Sequence, residues 1–119
     1  MDKIRAADLL SLDLRGSGLV FNDSTDYYGF YENGKIIAIT GIMWYQNKAI
    51  FKNHYVIPAR RGRGLFKRML DYSITEAKSR GIEYIEATCT RYSIKEYLIR
   101  GSVILTRYKN GCVKVRLNI

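Results

Sequence analysis

Apolar and polar positions alternate along the chain in short segments whose period changes several times. Ile4, Ala7, Leu10 and Leu14 recur at helical spacing and predict a helix from Ile4 to Leu14, ended by Arg15-Gly16-Ser17-Gly18. Leu19 to Thr25 reads as a loop. Asp26 to Glu32 and Lys35 to Tyr45 then flank Asn33-Gly34, a pair that tolerates positive φ and so signals a tight hairpin. Within the second of these strands, Ile36 to Thr40 is almost continuously apolar, the pattern of a strand covered on both faces. Gln46-Asn47-Lys48 makes a further turn, and Ala49 to Ile57 completes a three-stranded antiparallel meander.

At Pro58 the period switches. A basic stretch, Arg60-Arg61-Gly62-Arg63-Gly64, leads into a helix predicted from Leu65 to Lys78. Phe66, Met69, Leu70, Ser73, Ile74 and Ala77 share one helical face, and Lys67, Arg68, Asp71, Thr75 and Lys78 the other. Gly81 stands where a C-terminal capping glycine belongs. Tyr84 to Thr90 reads as a strand with Ile85, Ala87 and Cys89 on one side. Ser93 and Glu96 have capping-box spacing, so a helix should start near Ser93, carry Tyr97 and Leu98, and end at Gly101. Val103 to Lys109 and Cys112 to Ile119 flank Asn110-Gly111, a second hairpin signal. The order predicts an α/β (α+β) fold: an antiparallel meander, then helix-strand-helix and a C-terminal hairpin, with one parallel strand pair in a mixed sheet.

The 119 residues suffice for a single domain, 1–119, and 47% hydrophobic content can build its core without metal or disulfides. No apolar run reaches the roughly 20 residues of a membrane-spanning helix, and Met1-Asp2-Lys3-Ile4-Arg5 lacks an apolar signal core. A cytoplasmic protein is the expectation. Cys89 and Cys112 fall in separate predicted strands without ligand spacing and read as buried thiols in a reducing compartment; no metal site is expected. The net charge of +9 leaves room for an acidic partner, a nucleic acid or an acidic protein surface.

Strand, glycine loop and helix start, from His54 to Leu65, form an arrangement that aims backbone N–H groups and a positive dipole end at an anion, usually a phosphate. Leu65-Phe66 after Gly64 excludes a Walker A loop, which needs Lys-Ser/Thr there. Gly62-Arg63-Gly64 lacks the third glycine of a dinucleotide fingerprint and follows a third strand, not a first. Arg61-Gly62-Arg63-Gly64-Leu65-Phe66 resembles instead the pyrophosphate motif R/Q-x-x-G-x-G/A of the GNAT superfamily of acyl-CoA N-acyltransferases, with Phe66 at the Gly/Ala position. The resemblance extends over about Tyr27 to Ile119, and the N-terminal region looks shortened.

That resemblance implies acetyl-CoA as co-substrate and acyl transfer to a primary amine by direct attack on the thioester. It places Tyr55, Val56 and Ile57 along the pantetheine arm. The backbone from Gly62 through Arg63, Gly64 and Leu65 to Phe66 would hold the pyrophosphate, helped by the charge of Arg61 and Arg63. Thr90 stands where the family often has asparagine. Tyr97-Leu98-Ile99-Arg100-Gly101-Ser102 is similar to the family's Y-x-x-x-G-F helix end, with Ser102 for phenylalanine, and makes Tyr97 the general acid toward the thiolate. His54, the single histidine, is a candidate base by its ordinary pKa near 6.5; Glu86 or a chain of waters serves equally well. Asp26 and Glu32 read as solvated hairpin charges. The alternative function is a basic nucleic-acid-associated protein of the same fold. It would be either a non-catalytic binding module, in which the ten tyrosines stack beside phosphate contacts, or an acyltransferase acting on nucleic acid or a nucleic-acid-binding protein.

Overall fold

Two turns fix the first half of the sheet. Asn33 and Gly34 both take positive φ, 51° and 76°, which matches the twist of the strands they join: β2 (Asp26–Glu32) and β3 (Lys35–Trp44). The chain then returns as β4 (Lys48–Val56), crosses through α2 (Leu65–Ser79) to β5 (Tyr84–Cys89), and passes α3 (Ile94–Ile99) into β6 (Val103–Arg107) and β7 (Val113–Asn118). A two-residue strand, β1 (Asp2–Lys3), and the short helix α1 (Ala6–Ser11) precede them. The structure, a computed structural model, describes residues 1–12 and 19–119. The predicted end of the first helix and its Arg15–Gly18 stop lie outside the described residues.

The seven strands form one sheet in the order β1-β2-β3-β4-β5-β7-β6. β4 and β5 run parallel, and every other pair is antiparallel. The mixed sheet and its single parallel pair are as the sequence pattern predicts; β1 is not. Ile4 donates its backbone N–H to Tyr27 O at 2.8 Å, so it continues β1 and α1 starts only at Ala6. The phase of the helix shifts accordingly. Leu9 and Leu12, not Ala7 and Leu10, pack inward, and Leu10 is 88% exposed.

β3 is buried on both faces, as its continuous apolar run implies. Ile36 and Ile39 join Ile4 and Tyr27 under α1, while Ile37 and Ala38 pack with Leu65 and Met69 of α2. In β5 and β7 the alternation is strict. Ile85, Ala87, Cys89, Val113, Val115 and Leu117 meet Leu70 and Ala77 of α2 and Tyr97 of α3 in the main core. Glu86, Lys114 and Arg116 occupy the opposite, half-exposed face.

The second hairpin signal folds differently from the first. Only Gly111 is left-handed there, at φ 88°, and Gly111 N–H reaches Tyr108 O while Tyr108 N–H reaches Cys112 O. This is a turn followed by a bulge, so β6 and β7 stop short of the predicted strand ends. Cys112 lies just before β7, partly buried; Cys89 is fully buried, and both are free thiols. Nor does Ser93 form a capping box. It sits in a helical conformation with no side-chain cap, and its Oγ accepts from Thr90 N–H at 3.1 Å instead. Glu96 is drawn away to Arg100 and Lys67. Among the described residues no helix is long and apolar enough to cross a membrane.

Candidate active site

The loop between β4 and α2 owes its shape to Pro58 and two glycines. Pro58 opens a short 3-10 turn, Pro58–Arg60, and Gly62 and Gly64 take φ 77° and 78°. A Cβ on either would meet nothing within 4 Å, so backbone conformation, not crowding, demands glycine. Gly64 caps α2 without a side-chain hydrogen bond, and the first turn holds no acidic residue. The first amide to bond back is that of Arg68, to Gly64 O at 3.1 Å. The amides before it, and the positive end of the helix dipole, are left for an anion.

The loop arginines are sorted by their partners. Arg60 forms an ion pair with Glu32, which holds that carboxyl below its usual range, so Glu32 is more than a solvated charge. Asp26 lies 3.6 Å from Lys3 across an exposed pair. Arg61 donates from Nε to Val56 O at 2.9 Å, and its guanidinium stands 5.5 Å from the centre of the Tyr55 ring. A cavity of about 220 Å³ opens beside this loop, bounded by Val56, Arg60, Arg61, Gly62, Gly64 and the first turn of α2, Leu65 to Lys67. Tyr92 and Glu96 close its far side, two residues the sequence analysis did not assign to the site. Phe66 lines the cavity and does not plug it.

The neighbouring strands diverge. β4 pairs with β5 from Lys48 to Phe51 and no further. Past that point β5 continues with β7 and β4 continues with β3. The cause is a bulge: Ile39 faces Tyr55 and Gly41 faces Lys52, so Asn53 and His54 together oppose the single residue Thr40. An extra residue bends its strand and strengthens the local twist, which carries Tyr55, Val56 and Ile57 away from β5. Ile57 remains anchored to β3 through its N–H to Ile37 O at 3.0 Å.

His54 and Tyr97 meet at this fork. Tyr97, 1% exposed on α3, places its hydroxyl 2.7 Å from His54 Nε2, and His54 Nδ1 lies 2.7 Å from Thr40 Oγ1. Phe66 stands edge-on to the imidazole with centroids 5.3 Å apart, and Phe51 does so at 6.3 Å. Desolvation among these rings pushes His54 down to about 4 and Tyr97 well above the usual range of a phenol. His54 is thus neutral and Tyr97 protonated near pH 7, and both ring nitrogens of His54 are engaged within the protein.

The remaining sequence candidates lie apart. Glu86 is on the opposite face of the sheet, with Lys114 Nζ at 3.1 Å and Lys48 Nζ at 4.0 Å. Thr90 is exposed at the end of β5. Its N–H goes to Ser93 Oγ, and its own hydroxyl oxygen accepts from Tyr92 N–H at 3.3 Å. Thr40 escaped notice because it is one hydroxyl inside an apolar strand.

By sequence no curated protein matches, but residues 5–98 match the profile of the Acetyltransferase (GNAT) family. Solved structures are similar in fold at low identity. Ard1 from Thermoplasma volcanium superposes with TM-score 0.75 at 12% identity, covering 98% of this chain and 95% of its own. The ribosomal-protein-S18-alanine N-acetyltransferase from Escherichia coli gives 0.72 at 20%, with 83% and 72% covered. A GNAT family acetyltransferase from Elizabethkingia anophelis, solved with acetyl-CoA bound, gives 0.69 at 17%, with 81% and 77% covered. The profile spans most of the chain, and the mixed sheet agrees with the fold of these structures: the protein belongs to the acetyltransferase (GNAT) family and is an acetyltransferase.

Proposed function

We propose that the protein transfers an acetyl group from acetyl-CoA to a primary amine, by direct attack of the amine on the thioester carbon. The observation that carries this reading is the fork: β4 leaves β5 after Phe51, between the uncapped amides that follow Gly64 and the buried hydroxyl of Tyr97. The fit to the co-substrate rests on open space at the left-handed glycines, which lets the backbone close on a diphosphate. Gly62, Arg63, Gly64, Leu65 and Phe66 present backbone to the phosphates. Arg61 and Arg63 supply charge, and Tyr55, Val56 and Ile57 run beside the arm, with Val56 offering the strand-like hydrogen bonds, because Ile57 N–H is held by Ile37 O and Ile57 O by Arg60 N–H. One lone pair of Val56 O is already taken by Arg61.

Acetyl-CoA supplies an activated carbonyl and a thiolate leaving group. As the C–N bond forms and the C–S bond breaks, Tyr97 gives its phenolic proton to the departing sulfur. His54 stands behind Tyr97 and steadies the phenolate through Nε2. Its two nitrogens are occupied and its lowered pKa makes it a weak base, so the amine loses its proton to water. At Thr90 the turn between β5 and α3 engages the N–H and one lone pair of the hydroxyl, which leaves the hydroxyl proton as what this residue can offer the arm.

Tyr97→Phe tests the acid role. Turnover should fall by about 10²–10⁴-fold, with product followed by mass spectrometry of labelled acetyl groups over a panel of amines. The melting shift produced by acetyl-CoA should persist, at about 2.7 kcal/mol for a ligand at 100 times its Kd. Loss of that shift in the variant would make Tyr97 structural. A wild-type protein that responds to oligonucleotides in a salt-dependent way, and not to acetyl-CoA, would favour the nucleic-acid module.

A further inference from the structure

Three groups stand in line at the fork: Thr40 Oγ1, the imidazole of His54, and the hydroxyl of Tyr97, with 2.7 Å at each of the two contacts. With His54 neutral, the line contains three protons, one each on threonine, imidazole and tyrosine. Two contacts use two of them. One proton must therefore point away from the line, and the tautomer of His54 decides which.

If Nδ1 carries the hydrogen, it donates to Thr40, and Tyr97 donates to Nε2. The threonine proton is then the one left over, in the interior of β3 where Thr40 is 0% exposed. That proton would need another acceptor inside the core, and leaving a buried donor without one is costly. The tyrosine proton, meanwhile, would be consumed by the histidine. If Nε2 carries the hydrogen, Thr40 donates to Nδ1 and His54 donates to the tyrosine oxygen. The proton left over now belongs to Tyr97, which is as buried as Thr40; the difference is its place, at the end of the line by the fork where β4 leaves β5 and an entering group can accept it.

We propose that Thr40 is a positioning residue that selects the Nε2–H tautomer of His54 and thereby frees the Tyr97 proton for a group entering the fork. This rests on the role given to Tyr97 above and extends it to a residue that touches neither substrate. When Tyr97 gives up its proton, the Nε2–H bond is already aimed at the phenolate oxygen. No proton needs to move along the imidazole, so the histidine acts without changing its charge.

The chain has one histidine, so ¹⁵N spectra of the ring are free of overlap, and protonated and lone-pair nitrogens resonate in separate ranges. For the substrate-free wild-type protein above pH 7, Nε2 should be the protonated nitrogen and Nδ1 the lone-pair one. Thr40→Val keeps the shape and removes the hydroxyl. It should relax the tautomer ratio toward a mixture, by about tenfold, and Thr40→Ser should restore it. With acetyl-CoA and an amine found to be accepted, Thr40→Val should lower kcat by a similar factor with KM for acetyl-CoA unchanged.

A wild-type ring protonated at Nδ1 overturns the proposal, as does a Thr40→Val ratio equal to wild type. The wild-type spectrum needs no variant to fold. It also needs no substrate: an Nε2–H ring in a protein that ignores acetyl-CoA would sink the transferase chemistry and leave the tautomer assignment standing. A responsive protein with an Nδ1–H ring would do the reverse.

Discussion

Packing against Phe51, Phe66 and Tyr97 has a consequence for His54 beyond its chemistry, because a pKa lowered on folding links stability to pH. In the unfolded chain the imidazole takes up a proton near 6.5, and in the folded protein only near 4. Between those values the unfolded state binds more protons, so acid favours unfolding. The contribution is flat above pH 6.5, is lost as pH falls toward 4, and levels off below that. The full span amounts to at most about 3 kcal/mol, at about 1.4 kcal/mol per pH unit. His54→Gln should flatten this part of the stability curve, measured as the wild-type minus variant difference in urea unfolding free energy from pH 7 to 4. A difference that does not vary with pH would place the ring in water. The same shift means that His54 should contribute no activity limb near pH 6.5.

Single residues also show what a chain reveals about its own site. The left-handed turns at Gly62 and Gly64 were legible because a loop of this kind is local: its geometry is set by the backbone of a few consecutive residues. Tyr97 was legible through its spacing to Gly101, which ends α3 in a left-handed conformation at φ 95°. Thr40 was not, since it meets His54 across fourteen positions of sequence. That contact depends on a bulge, and hydrophobic alternation does not announce one. His54 was visible as a candidate, but its pKa is set by rings from three different elements.

At the scale of elements, the N-terminal edge depends on one close approach. Gly29 in β2 lies opposite Asp2 on one side and Ile39 on the other. A Cβ there would run into the carbonyl oxygen of Ala38 and come within 2.7 Å of Ile4 Cδ1. The first clash is with backbone and cannot be relieved by a rotamer change. Gly29→Ala should therefore cost about 1–3 kcal/mol by overpacking, seen as a Tm drop of several degrees. Protection of the Ile4 amide from hydrogen exchange should fall with it. Gly34→Ala strains only a left-handed turn residue with open space around it, and should cost about 1 kcal/mol or less. Equal effects would mean that β1 and Ile4 do not seal against β2.

Elements whose identity follows from period were read from sequence: the meander, α2 and the last strands. Those decided by a competing bond were not. β1 exists because Ile4 and its neighbours pair with β2, and α1 turned its face accordingly. Ser93 bonded backward to Thr90 because the turn before α3 brought that amide within reach.

Over the whole molecule, the +9 charge is not spread evenly in its effect. Arg80 is paired with Glu76, and Arg100 with Asp71 and Glu96, so these cations are largely offset where they stand. Lys48 and Lys114 share Glu86 on the half-exposed face of the sheet. At the glycine loop the offsetting acid is Glu32, which is paired with Arg60 and also feels Arg63. A polyanion docking at the amides of α2 approaches this carboxylate as well as the arginines, so Glu32 opposes it. Glu32→Gln should tighten acetyl-CoA binding about two- to fivefold at low ionic strength, the scale of one exposed charge acting through water. Most of that gain should vanish in 0.5 M salt, where the screening length drops to a few ångström. Calorimetric titration at two salt concentrations measures both terms. Weaker binding at both would mean that Glu32 serves the site by holding Arg60 in place; tighter binding at low salt alone would mean that its charge acts on the anion through water.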